Sequence, residues 1–254
     1  MEHSARSTMI AVLALFAFAV LLHPAAAQDA PKPDAASAYP KMAPAEQYLM
    51  KSRDAEIALA RSAAPASVSG DATVLVLGRK GYETAVEGKN GFVCVVGRSW
   101  TGPFDWPEFW NPKILAADCM NPQAARAIVP IFQLRARLAM AGRSKEDMLA
   151  AVREAYARKQ LPQPEPGAMD YMMSKSSYLT DEGEHNMPHL MFDTLARNPG
   201  EWGANLEGSP VMASPYWFMF AKDPSQMRGL PPILVFLVGT STWADGTPAQ
   251  GHQH

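Results

Sequence analysis

The sequence predicts an α+β fold: an antiparallel sheet of about five to seven strands with helices packed on one face. Three observations carry that expectation. Short apolar and β-branched runs fall in two groups, at residues 73–96 and 170–238. Segments rich in helix formers lie before the first group and between the two. No self-similarity appears at periods of 20 to 50 residues, so a repeat architecture is not indicated. Strands, then helices, then strands again is the order of α+β rather than of alternating α/β units.

Taken in order, the first element is a leader. Arg6 is followed by the 14-residue apolar run 9–22, then by Pro24 and Ala25, Ala26 and Ala27 ahead of Gln28. A basic start, an apolar middle and small residues before a cut describe a secretory signal peptide spanning residues 1–27. A retained anchor is disfavoured, because a bilayer-spanning helix needs about 20 apolar residues. The segment 28–44 holds four Pro and no apolar period, and reads as an extended linker. Residues 45–254 then form one domain with a flexible C-terminal tail.

Within that domain, residues 45–62 are helix formers with Leu49, Ile57 and Ala60 available for one face. Residues 73–77, 82–87 and 92–96 read as three strands. Asn90-Gly91 between the last two suggests a hairpin, since a type I′ turn wants positive φ at both central residues. Residues 99–112 contain three Pro and five large aromatics and must be loop. Asn121-Pro122 has the chemistry of a helix start, Pro130 predicts an interruption, and Gly142 a stop. Ser144 with Asp147 resembles a capping box opening a helix to about Lys159. After the Pro-rich connector 161–167 come strand candidates at 170–174, 187–193, 216–221 and 233–238.

Composition limits the function classes. The 254 residues carry 23 basic and 25 acidic side chains, a net charge of −2, and 48% apolar content. That balance supports a real core and argues against a disordered tail or a nucleic-acid partner. Cys94 and Cys119 are the only cysteines. In an exported chain a single disulfide is the simplest reading, worth about 3 kcal/mol in the chain-entropy description. Two free thiols or a thiolate metal site are the alternatives.

The densest set of candidate ligands is residues 180–194. In an extended conformation His185, Met187, His189, Met191 and Asp193 share one side, with Pro188, Leu190 and Phe192 on the other. Imidazole and thioether in an oxidising compartment suit copper, and imidazole with carboxylate suits zinc. A single strand rarely supplies a whole site, so Met172, Met173 or the terminal His252 and His254 would have to complete it. Met as core filler and a hydrogen-bonded His is the plainer reading. Trp100, Trp106 and Trp110 form a second candidate site, a stacking platform for a small molecule, against the alternative of a lid plugging the sheet. The loop has no Lys or Arg between Trp100 and Asn111, which again disfavours nucleic acid. No G-x-S-x-G, H-E-x-x-H, P-loop or dinucleotide motif is present.

Several segments together carry a resemblance: YMMS at 171–174, EHNMPHLMFD at 184–193, EWGANLEGSP at 201–210, the W-x-D-G close at 243–246 and NGFVCVVGR at 90–98. The chain from about Ala45 to Thr247 resembles a group of exported bacterial proteins with no assigned activity. The resemblance implies export to the periplasm or beyond and one compact domain; it implies no catalytic residue. The order of elements is also similar to that of PAS-like and profilin-like domains, which hold small ligands between sheet and helices. The expectation is therefore a small-ligand-binding or structural domain of the cell envelope, with a copper or zinc protein or metalloenzyme as the alternative.

Overall fold

The two groups of strands join into one sheet. The computed structural model describes residues 37–181, 186–195, 198–204, 206–209, 211–215, 228–231 and 233–249. Its strands are β1 (Thr73–Gly78), β2 (Gly81–Val86), β3 (Val93–Gly97), β4 (Ala116–Met120), β5 (Met169–Met172), β6 (His189–Thr194), β7 (Val211–Pro215) and β8 (Leu234–Gly239). They lie in the order β2-β1-β3-β4-β5-β6-β8-β7. Every pairing is antiparallel except β1 with β3. The α+β class and the mainly antiparallel sheet are as expected, with eight strands among the described residues.

The helices are α1 (Arg53–Arg61), α2 (Ala66–Ser69), α3 (Pro122–Met140) and α4 (Lys145–Ala157). They do not gather on one face. Leu75, Leu77, Val95 and Met120 pack with Ile128, Ile131 and Phe132 of α3 and Met148 and Val152 of α4. On the other side Val74, Cys94, Val96, Ala117 and Cys119 pack with Leu59 and Ala60 of α1 and with Ala63. The cause is visible in the strands: β1 and β3 are apolar at consecutive positions, so both of their faces must be covered.

Local chemistry sets most of the element ends. Ser52, Asn121 and Ser144 cap α1, α3 and α4, each side-chain oxygen accepting a backbone N–H three residues on. Gly142 takes φ +70° and closes α3. Pro130 does not interrupt α3, which continues through it to Met140. The missing N–H costs one bond to the carbonyl four residues back, and the buried face of the helix offsets that loss. The first helix is shorter than expected. Residues Ala45–Tyr48 form a 3-10 turn, Leu49 is extended, and α1 begins only at Arg53.

Two further expectations are corrected. Asn90-Gly91 does not join neighbouring strands, because β1 lies between β2 and β3. Of the two residues, only Gly91 adopts positive φ (+80°), so the turn is not type I′. Residues 37–44 of the expected linker are docked rather than free. The Ala43 N–H donates to the Tyr48 hydroxyl at 3.2 Å, which itself donates to the Trp110 carbonyl at 2.8 Å, and Tyr39 and Met42 pack against the core. The leader, the strand candidate 216–221 and the last residues of the tail lie outside the described residues. Among the described residues no helix is long and apolar enough to cross a membrane.

A covalent and an ionic clamp tie the layers. Cys94 and Cys119 face each other across β3 and β4 and form the disulfide. Arg98 and Glu56 form a buried ion pair at 2.8 Å, at 0% and 3% exposure. Glu56 Oε1 also accepts the Leu77 N–H at 3.0 Å, while Arg98 donates to the carbonyls of Tyr48 and Val96. A charge this deep persists because each of the three guanidinium nitrogens has an acceptor.

Candidate functional site

The pleat of β6 turns its polar residues inward. His189, Met191 and Asp193 are buried, whereas Leu190 is half-buried and Phe192 is 39% exposed. The apolar side of this strand is thus the more solvated one. An arrangement in which a ligand-rich side is buried in preference to an apolar side needs a reason beyond packing.

Register places partners beside these residues. Met172 lies directly opposite His189, and Asp170 opposite Met191. Met120 lies opposite Asp170, with Asp118 two residues back along β4 on the same side. Directly opposed residues have Cβ atoms roughly 5 Å apart, and diagonal ones roughly 7 Å. The result is a patch of three carboxyls, three thioethers and one imidazole across β4, β5 and β6, each residue 5% exposed or less.

The polar atoms of this patch lack partners. Asp118 Oδ1, both carboxyl oxygens of Asp170 and of Asp193, and His189 Nε2 are buried without a hydrogen bond. An unsatisfied buried group costs about 1–3 kcal/mol, and more if charged. The carboxyls respond by holding their protons. Burial, then repulsion from Asp193, pushes the Asp118 carboxyl well above its ordinary range. Burial, then repulsion from Asp118 and Asp193, does the same to Asp170, while the Met191 backbone N–H, close to the carboxyl but outside hydrogen-bond geometry, pulls the other way. Burial pushes Asp193 up to about 7.

His189 has a defined tautomer. Its Nδ1 lies 2.7 Å from the Met187 carbonyl, so Nδ1 carries the proton and donates. Nε2 is left with a free lone pair, and burial lowers the ring's pKa, keeping it neutral. A neutral imidazole with one nitrogen fixed by a carbonyl and the other open is the form that ligates metals.

Of the residues singled out from sequence, His189, Met191 and Asp193 share this patch. Met187 sits half-buried ahead of β6 and contributes its carbonyl to His189. His185 lies outside the described residues, as do His252 and His254. Asp181, at the start of the same segment, is held apart from the patch, accepting from Lys113 Nζ at 2.6 Å and from the Tyr178 hydroxyl at 2.8 Å. Among the described residues, no three of His, Cys, Asp and Glu are grouped so as to hold a metal ion. Both cysteines are spent in the disulfide, which removes the thiolate site. Sequence reasoning missed Asp118 and Asp170; the signal was an acid inside each of two short apolar strands, AADCM and MDYM.

The aromatic loop is mostly interior. Trp100 is 0% exposed, its ring 4.5 Å from that of Tyr48. Trp106 lies half-buried over Gly102, where an added Cβ would come within 2.9 Å of the indole. Arg135 of α3 stacks on Phe104 at 4.2 Å and donates to the Gly102 carbonyl at 2.6 Å; burial lowers its pKa to about 9. Trp110 borders a surface cavity of about 620 Å³ lined also by Lys41, Met42, Met140, Arg143 and Lys145. This cavity lies under the 40–45 segment at the α3–α4 turn, not between sheet and helices. Comparison with protein-family models, with curated proteins and with solved structures gives no match.

Proposed function

We propose that this is an exported cation-binding protein whose site is the inward face of β4, β5 and β6. One observation carries the reading: on one buried sheet face His189 Nε2, Asp118 Oδ1 and both carboxyl oxygens of Asp170 and Asp193 have no hydrogen-bond partner. Two natural remedies exist for such a deficit, protonation and a bound cation. Protonation leaves the His189 Nε2 lone pair unused, whereas a cation bound at that nitrogen engages it. The leader pattern at residues 1–27, the disulfide and the resemblance to exported bacterial proteins support export.

The test is direct. Untagged protein stripped with chelator is titrated with monovalent and divalent metal ions, with bound metal measured by mass spectrometry and stability by thermal unfolding. A bound ion at a hundred times its Kd raises stability by about 2.7 kcal/mol. Failure of every ion to be retained or to raise the unfolding temperature overturns the reading. A second reading, a small-ligand-binding module, is favoured by the cavity beside Trp110. Its Met42, Trp110 and Met140 and its three cations Lys41, Arg143 and Lys145, against the single acid Glu146, suit a small molecule with an apolar body and an acidic group. Quenching or enhancement of tryptophan fluorescence on titration, lost in Lys145→Glu, tests it.

A further inference from the structure

We infer that the cation is a soft monovalent ion, Cu(I), held by His189 Nε2 with the thioether sulfurs of Met172 and Met191. The inference rests on the cation-binding reading above and names the ion and the ligands of that site. Its starting point is what the hard ligands do not do: no three of the described His, Cys, Asp and Glu side chains are grouped for a metal. A zinc site of the usual kind would need such a set, and no thiolate is available because Cys94 and Cys119 are joined. The patch does group three soft or borderline donors. Met172 is directly opposite His189, and Met191 is two residues along β6 on the same side. All three are at least 96% buried, and Met172 and Met191 belong to one small apolar cluster with Val235.

The donor set matches the ion. Thioether sulfur selects Cu(I), and imidazole serves both copper oxidation states. An unbranched thioether side chain has three rotatable bonds, so two Met from neighbouring strands can turn their sulfurs toward one point beside the imidazole. The ring is already committed, since Nδ1–H to the Met187 carbonyl fixes which nitrogen faces the site. A single positive charge in a dry apolar cluster also costs less desolvation than a divalent one. No electron changes hands on binding: the ion enters and leaves as Cu(I).

The experiment uses untagged, disulfide-intact protein under anaerobic conditions with ascorbate, which leaves the bridge oxidised. Cu(I) affinity is measured by competition with a chromophoric Cu(I) chelator, for the wild type, His189→Gln, Met172→Leu, Met191→Leu and the control Met173→Leu. Met173 is the adjacent methionine, past the end of β5 and outside the register that sets Met172 opposite His189. One Cu(I) per chain is expected, with each of the three ligand variants weakened roughly tenfold or more and Met173→Leu unchanged. X-ray absorption at the copper edge of the wild type, which needs no variant to fold, should show sulfur and nitrogen neighbours together. If copper shows no sulfur neighbours, or if both Met→Leu variants bind as the wild type does, the sulfur site is overturned. Retention of another ion through the carboxyls would then leave the cation reading standing. If no ion of any kind binds, both fall.

Discussion

Replacing Asp118 by Asn in metal-free buffer should make the protein more stable, by an amount that grows with pH. In the folded chain this carboxyl is buried on the inward face of β4, its Oδ1 has no partner, and its pKa is raised from 3.8. An acid with a raised folded pKa contributes its full stability below the unfolded value and loses it as pH climbs toward the folded one. Between those values the native state retains a proton that the unfolded chain has released, and stability falls by about 1.4 kcal/mol per pH unit. Asn carries no such proton. The difference between variant and wild type should therefore widen as pH rises above the unfolded value, by up to about 1.4 kcal/mol per pH unit, a gap in unfolding temperature growing by up to roughly 3–6 °C per unit for a domain of this size. Loss of one carboxyl also relieves Asp170 of one repulsive neighbour. The assay is thermal and urea unfolding of both proteins across about pH 4.5 to 6.5. Parallel curves, or a gap that narrows as pH rises, would show that Asp118 ionises normally in the native state and would refute the account of the patch.

Other outcomes follow from the clamps. Glu56→Ala should cost about 3–5 kcal/mol, because it strands the Arg98 guanidinium at 0% exposure; Glu56→Leu with Arg98→Met should recover most of that loss in chemical denaturation. A Glu56→Ala variant within about 1 kcal/mol of wild type would mean that the pair is not what holds α1 to β1. Removal of the disulfide by Cys94→Ala with Cys119→Ala should lower stability by about 3 kcal/mol. Alkylation of native, unreduced protein should label no thiol, and labelling of both cysteines would refute the bridge.

Much of the fold was legible in local chemistry. Asn121-Pro122, Ser144 and Gly142 mark helix ends because capping is settled within four residues of chain, and each acts in the structure as its residue type requires. The strands of β1, β2, β3, β6 and β8 announced themselves by β-branched and apolar runs. β4 did not, because AADCM carries a charge and two alanines and becomes a strand only between β3 and β5. Pro130 misled for the complementary reason: its local penalty is real, but burial of Ile128, Ile131 and Phe132 outweighs it.

The candidate site divides the same way. Alternation along β6 put His189, Met191 and Asp193 on one side, which period-2 geometry guarantees for any extended segment. Which side faces inward was not a property of that segment, and the more apolar side would have been the natural choice. Asp118, Asp170, Met120 and Met172 lie 17 to 75 residues away along the chain from His189, Met191 and Asp193, and only register brings them to the patch. The sequence by itself determined most of the elements, the caps of α3 and α4, the only possible cysteine pair and the surplus of methionine, because each depends on neighbours in the chain or on composition. Tertiary structure alone decided that β1 lies between β2 and β3, that helices cover both faces, and that acids, sulfurs and an imidazole meet in a dry interior. Those outcomes depend on cross-strand pairing and burial, which couple residues distant in sequence.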